Sequence, residues 1–167
     1  MKKIFFLFSL IFVSTFCFAK DINFQVVQNT KDSDEVYLIS QIFEQALVDF
    51  FFDAGHIVST SPVFVKKDEG SDKIELKKVL IDSTLGSMMY LIRVELLFEG
   101  ENSKNPNNLD STSIKKVLWN VYRVDNGKLL SSSSVIPDKT IEYKKTEAEI
   151  YNFASFVAAK ISLGLTN

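Results

Sequence analysis

Residues 90–98 read Tyr90-Leu91-Ile92-Arg93-Val94-Glu95-Leu96-Leu97-Phe98. Tyr90, Ile92, Val94, Leu96 and Phe98 alternate with Leu91, Arg93, Glu95 and Leu97. That period of two is what a β-strand imposes on its two faces. One face is wholly apolar and must be buried. The other carries Arg93 and Glu95 in mid-strand, where a charge needs water, a partner or a covering helix. The sheet built on this strand therefore has one buried face and one that is partly wet or covered through polar contacts.

Upstream, Asp21 to Gln28 alternates loosely through Ile22, Phe24 and Val26 and reads as a first strand. Val36, Ile39, Phe43, Ala46, Leu47 and Phe50 then recur at the spacing of one helix face, predicting a helix over 36–52. Asp32 and Glu35 form a capping-box pattern at its start, and Gly55 is placed to end it. Phe50, Phe51 and Phe52 cannot all face inward, because consecutive helix residues point about 100° apart. His56 to Val65 is β-rich, with Pro62 marking an edge or a break. Lys66 to Lys73 reads as a charged loop. Asp72 to Ser83 reads as a second helix with Ile74, Leu76, Val79 and Leu80 as its apolar residues.

Downstream, Gly100 to Ser113 reads as an exposed polar loop between strands, either a plain surface connection or, given its length, a partner-binding segment. Val117–Val124 and Lys128–Val135 flank Asp125-Asn126-Gly127, whose Asn-Gly pair supplies the positive φ angles of a hairpin turn. The serine run Ser131–Ser134 weakens the outgoing strand and puts it at an edge. Thr146 and Glu149 form another capping-box pattern, and Ile150, Phe153, Val157, Ile161 and Leu165 mark a closing helix. The order is β-α-β-α-β-β-β-α. The expected fold is a single α/β domain, a mixed sheet with two to three packing helices.

The N-terminus sets the compartment. Met1-Lys2-Lys3 is basic, Ile4 to Phe16 is apolar apart from Ser and Thr, and Cys17-Phe18-Ala19 ends on a small residue. This is the three-part pattern of a secretory signal peptide over 1–19, with the domain over 20–167 and export to the periplasm. The alternative is a lipoprotein anchored through Cys17, the sole cysteine. Removing Lys2 and Lys3 leaves 17 basic residues (19 less two) against 21 acidic. That balance speaks against a nucleic-acid partner, whose binding needs a basic face. It also supplies no polybasic patch for anionic lipid.

The element order and a few residues resemble a known family. A helix runs directly into Asp53-Ala54-Gly55-His56-Ile57-Val58. Later come Tyr90-Leu91-Ile92-Arg93-Val94-Glu95-Leu96 and the hairpin Val121-Tyr122-Arg123-Val124-Asp125-Asn126-Gly127-Lys128-Leu129-Leu130. The pattern resembles the small α/β domain of bacterial envelope proteins: the TolB amino-terminal region, the LpoB-type activators of penicillin-binding proteins and the CsgG-like secretion proteins. The resemblance implies a non-enzymatic domain that docks on other envelope components. No lipobox, following β-propeller or transmembrane-hairpin insert accompanies it.

The residues offer little chemistry of their own. His56 is the only histidine and the six glycines are isolated, so neither a P-loop nor a dinucleotide fingerprint is available. Asp68, Glu69 and Asp72 lack the spacing of a calcium loop and are flanked by lysines. No Gly-x-Ser-x-Gly elbow frames a serine. No cofactor and no metal are expected. The primary reading is a non-enzymatic periplasmic accessory protein that binds envelope proteins through an edge strand and a loop, with peripheral association to a membrane complex. Its candidate contact residues are Arg93, Glu95, Trp119, Tyr122, Ser131 and Ser133. The charges of Arg93 and Glu95 either line a groove or pair across strands with Arg123 or Lys128. Two alternatives stand beside this reading: a periplasmic small-molecule or lipid-binding protein using an aromatic cavity, and a hydrolase with a Ser, His and carboxylate set recognisable only by geometry.

Overall fold

The alternating stretch is the middle strand of a five-stranded sheet in the computed structural model, which describes residues 19–29, 34–98, 114–137 and 147–165. The elements are β1 (Asp21–Asn29), α1 (Asp34–Asp53), β2 (Ile57–Val65), α2 (Glu69–Leu85), β3 (Tyr90–Phe98), β4 (Ile114–Arg123), β5 (Leu129–Val135) and α3 (Glu147–Leu165). The order across the sheet is β2-β1-β3-β4-β5. β1 runs parallel to β2 and β3, while β3, β4 and β5 form an antiparallel meander. The sequence order β-α-β-α-β-β-β-α and the single α/β domain with three helices stand as read.

The crossover β1-α1-β2 moves one way along the sheet and β2-α2-β3 moves the other, passing β1. With one shared right-handed sense, their helices must take opposite faces. α1 and α3 cover one face. There Ile22, Phe24, Val26, Ile92, Val94, Leu96, Val117, Trp119 and Val121 meet Phe43, Ala46, Leu47, Phe51, Phe153, Val157 and Ile161. Aromatic rings fill this layer, with Phe24 on Phe51 at 5.2 Å and Phe43 edge-on to Phe153 at 6.1 Å. α2 covers part of the other face over a small cluster of Val79, Leu91 and Val124.

Several local readings change. Lys66–Lys73 is not all loop: α2 begins at Glu69, because Asp68 caps it reciprocally with Ser71. Phe51 rather than Phe50 is the fully buried member of the Phe triplet, and Phe52 is 68% exposed. Ile74, read as part of the inward face of α2, points outward, because Asp72, Glu75 and Ser83 take the inward positions to satisfy polar groups of the sheet. Pro62 sits on edge strand β2 where the register with β1 shifts between Gln25 and Val27, so it marks both an edge and a break. Of the Asn-Gly pair expected to take positive φ, only Gly127 does so, at +65°, and Asn126 instead closes the hairpin turn through its side chain, Oδ1 accepting the Lys128 N–H at 2.9 Å. Residues 1–18 of the expected signal peptide, the capping residues Asp32 and Thr146, and the loop 100–113 lie outside the described residues.

Candidate functional site

β5 begins after the Gly127 turn and pairs only with β4, so its other side is a sheet edge. Its register sets Ser133 opposite Trp119 and Ser131 opposite Val121, on the face that α1 and α3 cover. Ser132 and Ser134 fall on the other face, opposite Asn120 and Leu118. Only the last turn of α3 approaches β5, and the four serines of the strand are exposed or half-buried. Short hydroxyl side chains suit a strand with water on both faces, and they leave its backbone open to approach.

The flank of α3 and this uncovered strand enclose a groove of about 410 Å³ lined by Trp119, Ser131, Ser133, Ser134, Val135, Lys160 and Gly164. The last turn of α3 forms its wall: a Cβ at Gly164 would stand 3.6 Å from Ser131 Oγ. Trp119, largely buried, lies at its base. Lys160 is the one charged lining residue. Its ammonium rests 5.3 Å from the centre of the Phe156 ring, and no carboxylate pairs with it among the described residues. The groove is therefore mildly cationic, rich in hydroxyls and bordered by a strand edge that is unpaired among the described residues.

Three of the six candidate contact residues, Trp119, Ser131 and Ser133, meet in this groove. Glu95, Tyr122 and Arg93 lie across the sheet. Arg93 is 6% exposed beneath α2, so it is no surface contact. Its Nε donates to Gln25 Oε1 at 2.8 Å and its terminal nitrogen to Asp72 Oδ1 at 2.8 Å. Glu95 accepts from Asn29 at 2.7 Å and from Lys66 at 3.2 Å. The expected cross-strand pairing with Arg123 or Lys128 is replaced by partners on β1, α2 and the turn before α2, because α2 lies over these charges. Tyr122 packs on the Val79 cluster, and burial pushes its hydroxyl above the ordinary tyrosine range. Lys160 and Gly164 were not found from sequence. Their positions beside Ile161 and Leu165 carry no signal until the place of β5 is known.

His56 Nδ1 accepts the Lys20 N–H at 3.2 Å and its ring lies 5.8 Å from that of Phe51. Burial, then the nearby Lys20 charge, holds its pKa below the ordinary histidine range. Asp68 caps α2, Glu69 pairs with Lys66 at 3.0 Å and Asp72 pairs with Arg93. Among the described residues no group of three or more His, Cys, Asp or Glu could hold a metal ion.

A family model described as "Uncharacterised protein" matches residues 21–165. No curated protein matches the sequence. Among solved structures, the chain is similar to a PelC variant solved as a dodecamer from Paraburkholderia phytofirmans. That match has TM-score 0.48 and 10% identity, covering 88% of this chain and 89% of that one. It is similar to the LpoB C-terminal domain from Salmonella enterica at TM-score 0.43 and 10% identity, covering 78% of this chain and 92% of that one. It is also similar to lipoprotein GNA1162 from Neisseria meningitidis at TM-score 0.43 and 12% identity, covering 85% and 98%. The LpoB domain belongs to the envelope group that the sequence pattern resembles.

Proposed function

We propose, from the premise that the chain belongs to this family of uncharacterised proteins, that it is a non-enzymatic accessory protein of the bacterial cell envelope. It binds a protein partner by adding one of the partner's extended segments to β5. The observation that carries this reading is the edge of β5, unpaired among the described residues, beside the Trp119–Lys160 groove. An incoming strand would gain backbone hydrogen bonds at the edge, and its alternate side chains would enter the groove. Lys160 favours an acidic side chain in the segment, and Trp119 offers an apolar floor. The basic start and apolar run of residues 1–16 support export. The sole histidine spends Nδ1 on a backbone N–H, which supports a role without catalysis. Phe24, Phe43, Phe51 and Phe153 pack the space between sheet and helices, which gives the cavity-binding alternative no room there.

Consecutive residues of an antiparallel strand turn their N–H groups to opposite sides. Of Ser132→Pro and Ser133→Pro, one therefore removes a bond to β4 and the other removes an outward donor. The test is in-cell cross-linking of tagged full-length protein, with thermal unfolding of both variants. The outward variant should keep wild-type stability and lose a stoichiometric envelope partner. Capture of the same partner by that stable variant would refute strand addition.

A further inference from the structure

We propose that the end of the domain where the chain enters β1 rests against a lipid surface. This inference is independent of strand pairing at β5. The apolar run Ile4–Phe16 and Cys17 precede that end directly. No spacer intervenes: Lys20 O already accepts the Ile57 N–H, its backbone N–H is held by His56, and its ammonium is bonded to Leu165 O. An anchor at Cys17 is separated from Lys20 by two residues, Phe18 and Ala19, at most about 10 Å of extended chain. In the alternatives to cleavage after Ala19, this stretch is retained as an uncleaved apolar run or through a lipid on Cys17, and it pulls this end of the sheet onto the bilayer. Among the described residues no helix is long and apolar enough to cross a membrane.

The surface at that end suits such a seat. The start of β1, the start of β3, the β4–β5 turn and the C-terminal ends of α1, α2 and α3 all gather there. Met89 N–H bonds Asp21 O, Val124 N–H bonds Met89 O and Ile57 pairs with Asp21. Of the fourteen large apolar side chains exposed on the described surface, seven belong to this end: Phe52, Ile57, Leu85, Met89, Leu129, Leu130 and Leu163. Their exposures run from 38% to 80%, and they come from α1, β2, α2, the turn before β3, β5 and α3. Apolar side chains gathered this way mark an interaction surface. The charges between them nearly cancel, with Lys20, Arg123 and Lys128 against Asp21, Asp53, Asp82 and Asp125. The seat is thus apolar rather than electrostatic, and it takes zwitterionic lipid as readily as anionic.

The test uses full-length protein reconstituted into phosphatidylcholine vesicles doped with a phosphatidylcholine that carries a photoactivatable group, with and without phosphatidylglycerol. Lipid adducts are mapped by mass spectrometry. The expected result is adducts at Phe52, Ile57, Leu85, Met89 and the Leu129–Leu130 pair, not at Tyr37, Leu38 or Ile136, and equal yields in both lipid mixtures. The triple variant Phe52→Ser, Leu85→Ser, Leu129→Ser changes only exposed side chains. With circular dichroism unchanged, it should lower adducts at Ile57 and Met89 by about tenfold or more. Three results would each overturn the proposal: adducts confined to residues 1–19, adducts spread evenly over both ends, or recovery from cells of a soluble chain beginning at Lys20 that gains no adducts.

Discussion

Asp72 and Arg93 form the deepest ion pair described in the protein, and the two partners are not equivalent. The Arg93 side chain is 7% exposed and that of Asp72 20%. In Asp72→Ala the guanidinium stays under α2 without its counter-ion, keeping only the bond to Gln25 Oε1. Breaking a buried pair from one side costs about 3–5 kcal/mol, and the partial hydration of Asp72 places this case near the lower bound. In Arg93→Met no charge is stranded, since Asp72 can turn to water and the thioether stem refills the volume. Gln25 Oε1 loses its donor, worth about 1–2 kcal/mol. The expected ranking is therefore Asp72→Ala about 3 kcal/mol and Arg93→Met about 1–2 kcal/mol, with the double variant no worse than Asp72→Ala alone. Urea unfolding of full-length protein measures all three, and for a chain of this size each kcal/mol moves Tm by about 2–4 °C. If Arg93→Met cost as much as Asp72→Ala, or if the double variant summed the two losses, the stranded-charge argument would be wrong.

Further tests follow the same physical lines. Phe51→Ala should cost about 3–5 kcal/mol in chemical denaturation, whereas Phe52→Ala one residue on stays within about 0.5 kcal/mol, because only Phe51 is fully buried. Ser87 adopts φ 58° without being glycine, so Ser87→Gly should raise the unfolding midpoint, by about 1 kcal/mol at most. Asp68 accepts the Ser71 backbone N–H, which holds its carboxyl below the ordinary aspartate range. A depressed folded-state pKa gives stability that is complete above the unfolded value of 3.8 and lost as pH falls through the folded value. Asp68→Ala should therefore unfold earlier than wild type at neutral pH, and the two midpoints should converge in strong acid.

The sequence carried the architecture wherever a single element decides it. The alternation of Tyr90 to Phe98 gave the central strand, Pro62 gave an edge, and Asn126-Gly127 gave the hairpin turn, because each acts through local backbone geometry. What stayed hidden depends on a second element. Arg93 stood open to water, a cross-strand partner or a covering helix until α2 was laid over it, and Asp72 looked like a loop charge until it met Arg93. The start of α2 was missed because Asp68 and Ser71 cap through a serine where a glutamate or glutamine is the usual sign. The groove was half legible. The serine run and Trp119 stood out in the sequence, whereas Lys160 and Gly164 became part of it only through the packing of α3 beside β5.

Placing a photoreactive residue at Ser133 of full-length protein in living cells tests strand addition at β5 most directly. The account predicts one dominant cross-linked envelope protein, joined through an extended segment bearing an acidic side chain. It also predicts that the adduct disappears when the outward N–H of the strand is removed by proline. Absence of any adduct at Ser133, or an adduct that survives the proline, would contradict it.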